Sequence, residues 1–403
     1  MFSVVNKELK INSNHFLYIL NCLKETNHES RLIGGCVRDA LINRDNSDID
    51  IATTLTPDVV ITKLTSYGIK TIPTGIKFGT VSAFFSAEKF EITTLRKESQ
   101  YNGRHPLVTF TKSFIEDAKR RDFTINALSY CPFEKKIYDY FGGIEDLYNS
   151  KVVFIGEPAE RISEDFLRII RFFRFAFIYD KTISLENLEI CKALSYGLKI
   201  LSHERIRTEL EKILICENYY SILQLMYDNN ILQLIIPINY FNSTILYRAN
   251  TFAAKCKIQL SLLTKYALIF YLDNITVHQL ISIKFSRQES AIIYDIISCI
   301  NNFTNYDRKF RFRQLWLEKD NFLQYVIAIV SINKIDDDFA EQFINTIENQ
   351  CKPIFPINGN DLIKRNINNK EIGRILSLLK IIWIKSDCTL TKQQLYEIMK
   401  NIE

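Results

Sequence analysis

Ser47-Asp48-Ile49-Asp50-Ile51 alternates acidic and apolar side chains, which is the pattern of a β-strand with one polar face. Asp48 and Asp50 then share that face, while Ile49 and Ile51 enter the core. Two carboxylates about 7 Å apart repel each other when alone, yet they can jointly hold Mg²⁺, a hard ion that prefers oxygen ligands. Taken alone, this stretch is better explained as an edge strand whose acids serve solubility.

The preceding residues reverse that preference. Arg38 stands ten positions before Asp48, within Leu32-Ile33-Gly34-Gly35-Cys36-Val37-Arg38-Asp39. An apolar strand end, two glycines and a helix start predict a phosphate-binding turn, where Gly35 lets the backbone approach the oxygens and Arg38 adds a positive fork. A dinucleotide-binding loop is excluded because the G-x-G-x-x-G spacing is not met.

G-G-x-x-R-D followed by D-x-D resembles the opening of the polymerase-β-type nucleotidyltransferases, above all the branch that contains bacterial poly(A) polymerases and class II CCA-adding enzymes. The resemblance implies that Asp48 and Asp50 are catalytic and bind the catalytic metal ions, with Mg²⁺ as the cofactor. In such an arrangement one ion activates the attacking hydroxyl and another stabilises the leaving pyrophosphate. Glu91 is a candidate third carboxylate, and a structural role is its alternative.

A second motif of this family, R-R-D-F-T-x-N-A, is matched by residues 120–127. The resemblance assigns Arg121 to the incoming nucleotide. Asp122 and Asn126 are candidates for binding the ribose or positioning the loop, and either could instead cap a helix.

Residues 161–175 predict a helix that begins after an N-cap at Ser163. On a helix of about 100° per residue, four apolar residues share one face: Phe166, Ile170, Phe173 and Phe177. Three arginines lie on the opposite half: Arg168, Arg171 and Arg174. A capped amphipathic helix with a solvated basic face explains this pattern without a functional role.

The same segment resembles E-D-x-x-R of the class II family, through Glu164, Asp165 and Arg168. In that family the Asp and the Arg bind the Watson–Crick edge of CTP or ATP, so protein replaces a nucleic-acid template. The amino groups of cytosine and adenine donate to a carboxylate and their ring nitrogens accept from a guanidinium, whereas guanine and uracil mismatch both groups. The resemblance thus makes Asp165 and Arg168 the base-reading pair, with Arg171 and Arg174 contacting phosphates or supporting the pocket.

Two further stretches favour CCA addition over poly(A) synthesis. Residues 75–95 resemble the CCA-adding subgroup, and residues 96–106 resemble its flexible loop, which in that family helps the site to change from C to A. A surface loop without function is the alternative for 96–106. Residues 202–210 resemble a short helix motif that follows the neck, where a structural role is expected, and residues 358–383 resemble the tail of the bacterial enzymes.

The predicted fold class is α+β: a polymerase-β-like head with a small mixed sheet and helices, followed by an all-helical neck, body and tail. Strand patterns are confined to the first third, and long helical periods with few glycines follow residue 163. The predicted division is 1–145 for the catalytic nucleotidyltransferase head, 146–215 for the base-recognising neck, 216–350 for the body and 351–403 for the tRNA-binding tail.

The composition fits a folded protein and excludes few functions. The 403 residues are 47% hydrophobic and 24% charged, and the net charge of +5 agrees with a nucleic-acid partner without requiring one. Nine cysteines without a C-x-x-C pair indicate free thiols in a cytosolic protein. No apolar run is long enough to cross a bilayer and no signal or transit peptide pattern is present, so we predict a cytoplasmic protein that uses no membrane.

The sequence therefore predicts a template-independent nucleotidyltransferase of the CCA-adding class, with tRNA, CTP and ATP as its partners and no protein partner. The tRNA 3′-hydroxyl attacks the α-phosphate of the incoming nucleotide, and pyrophosphate leaves. A poly(A), CC-adding or A-adding specialist on the same fold is the enzymatic alternative. A catalytically silent RNA-binding protein is the alternative of another class.

Overall fold

The computed structural model describes residues 3–45, 48–102, 105–179, 183–304, 307–332, 335–348 and 350–400, without the side chains of 98–107. The chain divides into two compact units, Met1–Glu209 and Leu210–Glu403. Every strand of the described residues lies in the first unit, and the second unit is helical. The predicted α+β class, with a sheet-containing head before a helical remainder, is confirmed.

The first unit is built on a mixed sheet. Its strands are β1 (Ser3–Asn6), β2 (Ser30–Ile33), β3 (Ile49–Thr53), β4 (Lys70–Gly75), β5 (Thr80–Phe85), β6 (Glu88–Thr94), β7 (Arg96–Asn102), β8 (His105–Phe110), β9 (Ser129–Cys131) and β10 (Lys136–Asp139). Eight of them form one sheet in the order β1-β10-β9-β2-β3-β6-β5-β4, and β7 pairs with β8. Within the large sheet β3 and β6 run parallel, and the other neighbours are antiparallel.

Burial alternates over residues 48–51, as the sequence predicts. Ile49 and Ile51 are buried, Asp50 is half-buried, and Asp48, directly before the strand, is exposed. The apolar side chains anchor the strand in the core of the sheet. The two acids are therefore left on its polar face.

Two of the hairpins beyond β3 lie in segments that the sequence singles out. In the β5–β6 hairpin, Ser86 and Ala87 both have positive φ, as a two-residue type I′ turn requires. β7 and β8 form an antiparallel pair across the segment that resembles a flexible loop. Positions 103 and 104 of that segment lie outside the described residues, so its role stays a prediction.

Nine helices begin in the described part of the first unit. They are α1 (His15–Cys22), α2 (Gly35–Leu41), α3 (Pro57–Ser66), α4 (Phe114–Lys119), α5 (Gly143–Tyr148), α6 (Pro158–Glu164), α7 (Leu167–Tyr179), α8 (Leu185–Ala193) and α9 (His203–Ile215). The segment predicted as one helix from Ser163 is thus divided between α6 and α7.

The predicted N-cap at Ser163 is wrong. Ser163 lies in the last turn of α6, where its hydroxyl donates to the carbonyl of Ala159 at 2.7 Å. The chain is extended at Asp165, with φ −153° and ψ 103°. An oxygen of the Asp165 carboxylate accepts from the backbone N–H of Leu167 at 3.2 Å. The acid, and not the hydroxyl, therefore satisfies a free amide at the start of α7.

The interpretation of this helix as an amphipathic one with a solvated basic face is also wrong. Eight of its residues are buried: Leu167, Arg168, Ile169, Ile170, Phe172, Phe173, Phe175 and Ala176. Phe172 packs on the ring of Phe154, and Phe175 packs on the ring of Phe123. The helical period identifies one apolar face, but it cannot reveal that a second layer covers the other face and supplies acids to its arginines.

The second unit continues with twelve helices in its described residues. They are α10 (Tyr219–Asp228), α11 (Leu232–Ile235), α12 (Ser243–Lys255), α13 (Leu262–Phe270), α14 (Val277–Ser282), α15 (Arg287–Asn302), α16 (Arg308–Glu318), α17 (Phe322–Ser331), α18 (Asp337–Ile347), α19 (Gly359–Ile363), α20 (Asn369–Lys385) and α21 (Lys392–Lys400). The last three contribute Leu362, Leu379, Trp383 and Leu395 to one buried apolar cluster. None of the described helices combines the length and the apolar character needed to cross a bilayer.

Candidate active site

The glycine turn forms where the sequence predicts it. β2 ends at Ile33, Gly34 has a φ of +68°, which L side chains rarely adopt, and α2 begins at Gly35. A Cβ at Gly34 would lie 3.1 Å from Nη1 of Arg121, so that guanidinium lies directly against the turn. The strand–turn–helix prediction is confirmed, and phosphate binding by Gly35 stays a prediction.

Asp50 is largely buried and lies among both negative and positive side chains. The pKa of Asp50 is raised to about 6, chiefly by burial and further by the charges of Glu91 and Asp48, while Arg121 and Lys89 act in the opposite direction. A bound cation would relieve this repulsion and favour the ionised form. The polar face of β3 therefore has the electrostatic character of a cation site.

Glu91 lies beside Asp50 because β3 and β6 are parallel and these two residues are register partners. Its carboxylate is paired with Nζ of Lys89 at 2.6 Å, and 47% of its side chain is exposed. No group of three or more His, Cys, Asp and Glu side chains able to hold a metal ion occurs in the described part of the chain. Two carboxylates are thus the candidate ligand set, with Glu91 engaged by a lysine.

Arg121 is fixed by two neighbours. Its Nε and Nη2 donate to Oδ2 of Asp117 at 3.4 and 3.2 Å, and its Nη1 donates to the carbonyl of Asn126 at 3.1 Å. Its side chain keeps 19% of its surface exposed. The structure thus brings Arg121, Gly34 and Asp50 together, as a nucleotide site at this turn requires.

Arg38 is more enclosed than the prediction of a phosphate-binding fork requires. It is only 7% exposed, and its Nε and Nη2 donate to the two oxygens of Asp39 at 2.9 Å each. Its Nη1 donates to Oδ1 of Asn126, and its guanidinium lies over the ring of Tyr179. The guanidinium of Arg38 is therefore buried next to the turn, where Asp39, Asn126 and Tyr179 hold it.

Asp165 and Arg168, the predicted base-reading pair, are held by different partners. One oxygen of Asp165 accepts from Nη2 of Arg205 at 2.8 Å. Nη1 of Arg168 donates to Glu164 at 2.7 Å and to the carbonyl of Arg161 at 2.5 Å, and its Nη2 donates to the carbonyl of Arg120 at 2.9 Å. The backbone N–H of Arg168 donates to the carbonyl of Asp165 at 3.0 Å, so the two residues stand one turn apart at the start of α7.

Arg171 and Arg174 converge on one buried acid, Glu209 of α9. Arg171 donates to Asp122 at 2.6 Å and to Glu209 at 3.3 Å, and Arg174 donates to Glu209 at 3.1 Å. Burial alone would raise the pKa of Asp122, but the charge of Arg171 and the hydrogen bond from Asn126 outweigh it and hold that pKa at about 2. Both arginines are therefore held by buried acids, and their role toward a nucleotide stays a prediction.

Among the residues of these networks that were not predicted as site residues are three on distant segments: Arg205, Glu209 and Tyr179. Each meets its partner across a long stretch of sequence, so no local spacing reveals the contact. Arg205 and Glu209 stand four positions apart on α9 and hence on one helical face. That polar face, within the segment 202–210 interpreted as structural, is the signal that could have identified two of the three.

The sequence resembles known families over most of its length. Residues 30–153 match the poly A polymerase head domain, and residues 182–239 match a probable RNA and SrmB-binding site of polymerase A. The mitochondrial CCA tRNA nucleotidyltransferase 1 of Homo sapiens is 34% identical over 387 residues, which cover 93% of this chain and 87% of that protein. The CCA-adding enzyme of Staphylococcus aureus (strain bovine RF122 / ET3-1) is 39% identical over 198 residues, which cover 49% of this chain and 48% of that protein.

Solved structures of similar fold cover nearly the whole chain. The crystal structure of the Bacillus stearothermophilus CCA-adding enzyme in complex with CTP superimposes with a TM-score of 0.78 at 22% identity, covering 96% of each chain. The Thermotoga maritima CCA-adding enzyme complexed with tRNA gives a TM-score of 0.70 at 20% identity, covering 97% of this chain and 95% of that one. At such identities the likeness establishes the fold.

Proposed function

The chain belongs to the family of CCA tRNA nucleotidyltransferases, and we propose that it adds C, C and A in turn to the 3′ end of tRNA from CTP and ATP, without a template. One observation carries this proposal: Asp48 and Asp50 share the polar face of β3, and Arg121 lies near Asp50 and against the glycine turn. That arrangement suits an in-line attack of an RNA hydroxyl on a nucleotide α-phosphate. No histidine, cysteine or serine nucleophile is needed.

Asp48 and Asp50 would hold a divalent cation, for which we propose Mg²⁺. The donor set fits, because both ligands are carboxylates and a hard cation prefers oxygen. The fit is supported by the high pKa of Asp50, whose ionised form a neighbouring cation would stabilise. When bound, the ion supplies activation of the 3′-hydroxyl and neutralisation of the pyrophosphate that leaves.

The triphosphate or sugar of the incoming nucleotide would contact Arg121 and the backbone of Gly35. Arg121 keeps part of its surface exposed and faces the turn, while the first N–H groups of α2 point away from the helix and are available to oxygens. Arg38 was predicted to share this task. Since it is buried behind the turn, its contribution would be to hold the turn in shape.

Asp165 and Arg168 would read the base. The Asp165 carboxylate accepts the amino group of cytosine or adenine, and the Arg168 guanidinium donates to the ring nitrogen beside it. An arginine has five N–H groups, so the contacts of Arg168 with Glu164 and two carbonyls leave donors for a base. Guanine and uracil would leave polar groups unpaired, at about 1–3 kcal/mol each. Arg171 and Arg174 would support this pocket through Glu209.

We further propose four functional parts: head 1–145, neck 146–215, body 216–350 and tRNA-binding tail 351–403. The match of residues 30–153 to a head-domain model supports the first part. The apolar cluster shared by α19, α20 and α21 supports a separate tail. The proposed end of the neck coincides with the end of α9, although the two compact units meet inside that helix.

A cytoplasmic location stays a prediction, since the Homo sapiens relative is mitochondrial.

A tRNA transcript without its CCA end tests the function directly. With labelled CTP, ATP and Mg²⁺ we expect three added nucleotides ending in A, and with CTP alone two. A poly(A) polymerase would instead make long products from ATP alone, a CC-adding enzyme would stop after two C residues, and an A-adding enzyme would require a primer that already ends in CC. Binding of tRNA without any incorporation would contradict the proposal in favour of a silent RNA-binding protein.

A further inference from the structure

The C-terminal end of α7 is hydrogen-bonded to α2, the helix that follows the glycine turn. The base-reading pair stands at its start, and Tyr179 ends it about 18 Å away along the axis. The hydroxyl of Tyr179 donates to Oδ1 of Asp39 at 2.6 Å. Asp39 lies in α2, which begins at Gly35. One hydrogen bond therefore joins the end of α7 to the turn helix.

Tyr179 contacts both members of a buried ion pair. Its hydroxyl binds Asp39, and its ring lies under the guanidinium of Arg38, 4.4 Å from the ring centroid. Arg38 and Asp39 are themselves joined by a bidentate pair and are 7% and 6% exposed. Burial raises the pKa of Tyr179 to about 12, so the hydroxyl keeps the proton that it donates.

A second series of hydrogen bonds connects Arg38 to α7. Nη1 of Arg38 donates to Oδ1 of Asn126, and Nδ2 of Asn126 donates to Asp122 at 3.0 Å. Asp122 accepts from Arg171 of α7 at 2.6 Å, and the carbonyl of Asn126 accepts from Arg121 at 3.1 Å. The hydrogen bonds therefore form a closed ring that starts and ends on α7 and touches the proposed nucleotide-binding Arg121.

We propose that Tyr179 is a positioning residue for nucleotide addition, which fixes α7 and its base-reading pair relative to the glycine turn. The inference rests on the proposed function, because it takes the pair at the start of α7 to contact the base and Arg121 to contact the triphosphate. Loss of the hydroxyl leaves a buried carboxylate with one donor fewer, and water cannot easily replace that donor. Small shifts of the pair relative to the turn then weaken nucleotide binding although no nucleotide contact is removed.

Tyr179→Phe tests this role, and Tyr138→Phe is its matched control. Tyr138 also donates its hydroxyl to a carboxylate, that of Glu134 at 3.1 Å, but outside the ring. We expect Tyr179→Phe to raise the Kd for labelled CTP and the KM for CTP and ATP at least about threefold, with kcat changed less than about twofold. Tyr138→Phe should leave all of these constants unchanged. Tyr179→Leu, which also loses the ring, should raise the Kd and the KM more than Tyr179→Phe does.

The inference is overturned if Tyr179→Phe loses thermal stability but binds CTP as tightly as Tyr138→Phe, since the contact would then be structural only. Tyr179→Phe decides the matter even if Tyr179→Leu does not fold. Equilibrium binding of CTP separates this result from the proposed function. A wild-type protein that binds CTP but does not extend tRNA would refute the function, while the difference in Kd would still test the positioning role.

Discussion

Gly34 and Gly68 both have positive φ, +68° and +73°, but only Gly34 has a functional group against it. An alanine at either position is strained and should lower the free energy of unfolding by about 1 kcal/mol. At Gly34 the new Cβ also presses on Nη1 of Arg121, whereas nothing lies within 4 Å of the position at Gly68. We therefore expect Gly34→Ala, and not Gly68→Ala, to weaken CTP binding. Equal binding by two equally destabilised variants would argue against a nucleotide role for Arg121.

Asp122 makes the stability of the first unit depend on pH. Its pKa is about 2 in the folded protein, against about 3.9 in an unfolded chain. Because the folded pKa is the lower one, the stabilisation is fully present above the unfolded pKa and disappears as the pH falls toward 2. Asp122→Asn should cost on the order of 3 kcal/mol at pH 7, since it removes the closer of the two buried acids that pair with Arg171. In urea unfolding, the difference in the free energy of unfolding between the wild type and Asp122→Asn should narrow only below about pH 4. A difference that stays constant from pH 7 to pH 3 would contradict the low pKa of Asp122.

The strand face of the two aspartates and the glycine turn could be predicted because both depend on neighbouring residues. Asp48 and Asp50 share a strand face by the period of two, and the glycine turn follows from adjacent residues. The paired state of Arg38 and Arg168 could not be predicted in the same way. Their acceptors include backbone carbonyls and an amide far along the chain, at Arg120 and Asn126. The sequence identifies a charged side chain, but it does not show how many of that side chain's hydrogen-bond donors already have acceptors within the protein.

At the scale of elements, the ring of Phe166 packs against Gly197 just before α7 begins. A Cβ on Gly197, in the 3₁₀ turn Ser195–Ile200, would lie 2.1 Å from Cδ1 of Phe166, directly after Asp165. We expect Gly197→Ala to cost about 1–3 kcal/mol of stability and to raise misincorporation of UTP and GTP, because the start of α7 must move. The double variant Phe166→Ala, Gly197→Ala makes room for the methyl group. Gly197→Ala should therefore cost less stability in the Phe166→Ala background than in the wild type, and an equal cost in both backgrounds would show that the contact is not the cause.

The boundary of α7 shows what a helical period can and cannot predict. The period correctly indicates helix over most of 161–175, because apolar residues recur at helical spacing. It misses the extended residue at Asp165, since a serine followed by acids looks like an ordinary N-cap. It also misses the second buried face, because Phe172 and Phe175 pack against residues that are distant in sequence.

At the scale of the whole molecule, the order of a sheet-containing head before a helical remainder was predictable, and the division of the remainder was not. Strand alternation and turn residues end early, while the helical part has few glycines or prolines to mark its breaks. The two compact units meet at Glu209, inside α9, where the sequence continues an unbroken helical pattern. Such a boundary depends on which residues contact each other in space, which periodicity does not record.

The rate of CTP incorporation by Asp48→Asn and Asp50→Asn tests the catalytic role most directly. Each substitution removes a carboxylate charge at nearly constant shape, and Asp58→Asn does the same at an exposed position in the first turn of α3. On tRNA lacking CCA, we predict that each site variant loses about a thousandfold or more in rate while still binding tRNA, and that Asp58→Asn stays within about twofold of the wild type. A folded Asp48→Asn or Asp50→Asn protein that adds nucleotides within about tenfold of the wild-type rate would contradict metal-assisted transfer at β3.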